Sequence, residues 1–93
     1  MSEDEDEMET LRCFWFKFRN PPTHSPLGLG CGITAYDHSD ALSIFEEKVQ
    51  SIYPQLQITE AIEDVDIRSL DAGHVLPNMG LVTNRGIWFP LAF

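Results

Sequence analysis

The chain has 93 residues, six bases against fifteen acids, and a net charge of −9. At that length one domain can bury a modest core without metals, and two cysteines do not make a disulfide framework. No basic stripe exists to neutralise phosphates, which argues against a nucleic-acid partner, and no segment is apolar for long enough to span a membrane.

Residues 1–9 hold six of the acids and no base, leaving nine acids against six bases in residues 10–93. A run of like charge without apolar periodicity repels itself. Residues 1–9 are therefore expected to be a disordered acidic tail, and residues 10–93 a single domain. The start is acidic and no apolar run with a cleavage site follows it, so the expected location is the cytoplasm.

Residues 11–18, LRCFWFKF, are rich in strand-favouring types. Phe14, Phe16 and Phe18 share one face; Leu11, Cys13 and Trp15 share the other, with Lys17 at its end. A strand apolar on both faces is expected to be central in a sheet or buried on both sides. Residues 19–30 follow with three prolines and two glycines, a connection long enough to serve as a binding loop. From Cys31 the period is two: Cys31, Ile33 and Ala35 alternate with Gly32, Thr34 and Tyr36.

At Asp37 the period changes. Asp37 or Ser39 can cap the backbone N–H groups of the next turn, and Asp40 adds negative charge where a helix dipole favours it. Leu42, Phe45, Val49 and Ile52 then fall on one helical stripe, and Pro54 should stop the helix at Tyr53. Residues 56–65 read as a third strand whose apolar positions do not alternate strictly. Residues 66–85 are irregular, with one short helical turn near 67–70. Residues 86–93 read as a last strand, at an edge or ending early because Pro90 cannot donate to a ladder.

The expected fold is α+β: one amphipathic helix on a four-stranded, largely antiparallel sheet, in chain order β-β-α-β-β. One helix covers one sheet face. The other face, carrying Trp15, Trp88 and Phe89, needs a cover from a loop or from a second copy. The leading expectation is a non-enzymatic interaction module that forms a homodimer through that face, with Trp15, Trp88 and Phe89 at the interface. The acidic third strand and tail would also suit a separate protein partner.

Gly28, Gly30 and Gly32 do not make a dinucleotide cradle, because they precede a strand and no helix follows them directly. Close backbone approach is their expected role. His24, His38 and His74, with Cys31 and Asp71, carry metal-ligand atoms without any metal-site spacing, so no metal, cofactor or catalytic residue is expected. His38, beside the helix start, is expected to face solvent. Cys31 reads as a small buried hydrophobe. Glu60, Glu63, Asp64 and Asp66 read as a solvated strand edge.

Residues 69–80 read as a connector whose Asp71, His74 and Asn78 cap its own turns. The alternative function is a small-molecule or metal-binding pocket between loops 19–30 and 71–78, its polar groups being His24, Asp71, His74 and Asn78. Three stretches, GCGITAYDHSDAL (30–42), DVDIRSLDAGHVLPNMG (64–80) and RGIWFP (85–90), resemble a group of small bacterial proteins of unknown function that share this order of motifs. The resemblance implies a free-standing bacterial protein and carries no activity, cofactor or site residue.

Overall fold

Strand β1 (Arg12–Arg19) is joined to β2 (Cys31–Ala35), helix α1 (His38–Phe45), β3 (Gln57–Glu63) and β4 (Gly86–Phe89), the expected α+β chain order. The computed structural model describes residues 10–21 and 25–91, so the expected tail and His24 lie outside the described residues. The sheet is antiparallel throughout, in the order β3-β1-β2-β4. β1 is central, paired with β2 on one edge and β3 on the other, and each of its faces is covered. Phe14 and Phe16 are buried toward the helix and Trp15 on the opposite side.

Two bulges set which side chains share a face. Between β1 and β3, Phe18 pairs with Ile58 while Lys17 pairs with Glu60, so Thr59 is one residue too many. An inserted residue reverses the alternation beyond it. Ile58 therefore packs on the helix side and Ile62 on the other, although their spacing of four would put both on one face of a regular strand. Between β2 and β4, Ile33 pairs with Ile87 and Gly32 with Phe89, leaving Trp88 as the extra residue. The consecutive pair Trp88 and Phe89 then faces one side together. β4 ends at Phe89, immediately before Pro90.

Asp37 caps α1: its Oδ1 accepts the Asp40 N–H at 2.7 Å. The buried stripe is Ala41, Ile44, Phe45 and Val49; of the expected set, Leu42 is half-buried and Ile52 is 58% exposed. The cause is a change of winding. Residues Glu46–Gln50 continue α1 as a π-helical turn, closed by the Ser51 N–H donating to the Glu46 carbonyl at 3.1 Å. One wider turn shifts the phase of every residue after it, so Ile52 rotates out of the stripe. The helix ends at Gln50, before Pro54 acts.

The sheet face expected to be open is covered by this chain itself. Residues 65–82 lay Val65, Ile67, Leu70, Val75, Met79 and Val82 against Trp15, Trp88 and Phe89. Those three aromatics are 3%, 1% and 1% exposed, so the expected dimer surface is interior. The covering segment contains only two short 3₁₀ turns, Ile67–Ser69 and Leu76–Asn78. An irregular strap has no period for sequence reading to detect, which is why its apolar residues were not assigned to a cover.

Candidate functional site

The glycines before and within β2 admit the indoles of the strap side. A Cβ on Gly30 would lie 2.6 Å from the Trp15 ring, and one on Gly32 would lie 2.4 Å from the Trp88 ring. Any side chain at either position would displace a buried indole. Trp15 in turn sits 5.8 Å from Trp88 and 5.7 Å from Phe89 between ring centroids. The glycine spacing thus serves aromatic packing and not a phosphate.

Where the strap meets the end of β4, a concavity of about 330 Å³ opens to solvent. Pro26, from the turn before β2, forms one wall; His74 and Asn78, from the strap, form another; Phe89, Pro90 and Leu91 complete it. Pro26 belongs to the 19–30 loop, and His74 and Asn78 to the 71–78 loop. Phe89 and Pro90 are buried and Leu91 is 62% exposed, so the floor is apolar and one rim is too.

Of the expected polar groups, His74 and Asn78 line the groove, whereas Asp71 does not. The Asp71 carboxylate accepts the Gly73 N–H at 2.8 Å and the His74 N–H at 3.1 Å, and lies 3.2 Å from His74 Nδ1. The Gly73 N–H first, and then the His74 ring, hold the Asp71 carboxyl below the usual carboxylate range. Asn78 Nδ2 donates to the His74 carbonyl at 2.8 Å. Asp71 and Asn78 therefore stiffen the turn that presents the imidazole, as the connector reading expects. Sequence reasoning missed Pro26, Pro90 and Leu91 and gave Phe89 to a dimer face, because apolar lining residues look like any other loop or strand residue until the chain is folded.

The remaining candidates disperse. Among the described residues no three His, Cys, Asp or Glu side chains gather as a metal site. Cys31 is buried under the helix, and burial pushes its thiol up to about 12, which removes it as a nucleophile near neutral pH. Cys13 faces the strap, its Sγ 3.7 Å from Thr34 Oγ1; it pairs across the ladder with Thr34, whereas Cys31 pairs with Phe16. Both cysteines are free. His38 is half-buried instead of solvent-facing, its ring edge-on to Phe14 at 6.3 Å and Phe16 at 6.0 Å.

Each acid of the third-strand region has a basic neighbour: Glu60 with Lys17, Glu63 and Asp64 with Arg12, Asp66 with Arg68. Two of these contacts belong to a wider arrangement. Arg12 forks onto Asp64 at 3.0 and 2.6 Å, and Arg85 forks onto Asp40, with Nε 2.8 Å from Oδ2. Asp64 and Arg85 are the residues at which the strap leaves the sheet and returns to it.

Comparison of this chain with known protein families, with curated proteins and with solved structures returns no match. No residue role is carried over from another protein.

Proposed function

We propose that this chain is a non-enzymatic binding module whose recognition surface is the groove between Pro26, the His74–Asn78 turn and the Phe89–Leu91 chain end of the sheet. The observation that carries this reading is the groove itself, about 330 Å³, at the lower end of the range for ligand pockets. Its four apolar residues suit a ring or a branched side chain, and His74 and Asn78 place polar atoms along one wall. The matching ligand is a small apolar group bearing one hydrogen-bonding function, free or as a residue of a peptide. Catalysis is not favoured, because the histidine faces no nucleophile among the described residues that line the groove.

Self-association through Trp15, Trp88 and Phe89 loses its support, since the strap buries all three. The test uses the full chain labelled with 15N and a set of fluorinated ring fragments, each carrying one amide or hydroxyl. Amide shifts gathered at His74, Asn78, Phe89 and Leu91, and lost in Leu91→Glu, are the expected result. Shifts absent or scattered over the surface would reject the groove.

A further inference from the structure

The strap joins the rest of the molecule in an uneven way. At its start, Asp64 has φ +55° and is held by the Arg12 fork; at its end, Arg85 is forked onto Asp40 and is followed by Gly86 with φ +136°. Both ends are therefore fixed to the sheet or helix beside a residue in the left-handed region. Between them, most polar bonds of the strap are local. Asp66 accepts from Arg68 and Ser69, Asp71 from Gly73 and His74, and Asn78 donates to His74.

Three of the hydrogen bonds described tie the strap to the sheet: Val65 N–H to the Cys13 carbonyl at 3.1 Å, beside the Asp64 end, then Gly80 N–H to the Trp88 carbonyl at 2.7 Å and Thr34 Oγ1 to the Val82 carbonyl at 2.6 Å. Val75 is the one strap residue between 66 and 85 that is fully buried. In the same cluster as Val75, the buried Trp88 Nε1–H has no partner among the described residues, a donor that water would satisfy once the strap lifts.

We propose that residues 65–84 form a lid that lifts as a unit from Trp15, Trp88 and Phe89, turning about Asp64 and Gly86, while the sheet and α1 stay folded. Segments with few buried apolar contacts and self-contained hydrogen bonds open at a lower free energy than the core. Lifting also removes His74 and Asn78 from the groove, so an occupant of the groove would hold the lid shut. The lid itself does not rest on the groove reading, because its opening is measured on the free chain.

Native-state hydrogen exchange of the unmodified protein provides the test. The Gly80 amide, bonded to Trp88, should be at least roughly tenfold less protected than the β1–β2 ladder amides of Phe14 and Ile33, with a denaturant dependence smaller than the ladder's but clearly above zero, because lifting exposes three aromatic side chains. Thr34→Val, which removes the bond to Val82, should accelerate Gly80 exchange and leave the ladder amides less affected. Gly80 exchanging with the same protection and denaturant dependence as the ladder would overturn the lid, whether or not any fragment binds the groove.

Discussion

The two faces of this sheet are covered by different means. On one, α1 and its π turn bring Ala41, Ile44, Phe45 and Val49 onto Phe14, Phe16, Ile33 and Ala35, and each of these is at most 6% exposed. On the other, a strap of turns brings one fully buried side chain, Val75, and several half-buried ones onto two indoles and a phenyl ring. A helix satisfies its own backbone, so it can spend a whole face on burial. A strap must cap its own turns with Asp66, Asp71 and Asn78, and this keeps much of it in water. The same sheet is thus sealed firmly on one side and lightly on the other, and the groove lined by His74 and Asn78 lies at the margin of the lighter seal.

The sharpest way to break that comparison is to remove one buried side chain from each side. Phe14→Ala deletes a fully buried ring from the helix side and should cost about 3–5 kcal/mol, a large share of the ~5–15 kcal/mol available to a small domain. Val75→Ala, on the strap side, should cost about 1–3 kcal/mol by urea unfolding, since fewer carbons leave and the strap can settle into the space. It should also speed Gly80 exchange, because the closed lid is weakened against the open form and the unfolded chain alike. Equal losses from both substitutions would mean that the two covers are energetically alike.

The helix side was the more legible of the two in sequence. Alternation from Cys31 to Tyr36, the cap at Asp37 and the apolar spacing after it identify strand, helix and buried side. The π turn is not written in residue types, so Ile52 fits the apolar spacing and yet lies outside the core. The bulge at Thr59 was legible only as broken alternation, and the one at Trp88 left no sign in the short run before Pro90. On the strap side the loops flanking the groove could be named, and so could His74 and Asn78, because turn residues declare turns. That the same turns would seal the sheet over Trp15 and Trp88 depends on contacts between residues far apart in the chain, which local pattern does not encode.

Acid should act on the lighter seal first. The Arg85 fork lowers the pKa of Asp40, the Arg12 fork that of Asp64, and the Gly73 N–H with His74 that of Asp71. Two of these aspartates anchor the ends of the strap and the third stiffens its middle. A carboxyl whose folded pKa lies below its unfolded value stabilises the fold fully above the unfolded value, here 3.8, and that contribution disappears as pH falls through the lower folded value. Between about pH 4 and pH 2, near-ultraviolet circular dichroism from the indoles should therefore decline before the far-ultraviolet signal of the sheet and helix. The pairs face solvent, so the difference should be modest and should shrink with added salt. Coincident loss of both signals would show that acid does not distinguish the faces.

The smallest perturbation uses the two native cysteines as reporters, one beneath each cover. Cys13 lies half-buried under the strap and Cys31 is fully buried under α1, where its thiol is pushed up to about 12. Alkylation requires both access and a thiolate. At pH 8, iodoacetamide should modify Cys13 in the folded chain, and Cys31 only at the rate of global unfolding, with peptide mass spectrometry separating the two. Val75→Ala should raise the Cys13 rate by a larger factor than the Cys31 rate if the lid lifts independently of the helix. Parallel rates at both cysteines, rising together in Val75→Ala, would mean that the sheet has one seal with two sides. Because the unmodified chain already carries one thiol beneath each cover, its initial alkylation rates compare helix and strap within the native fold.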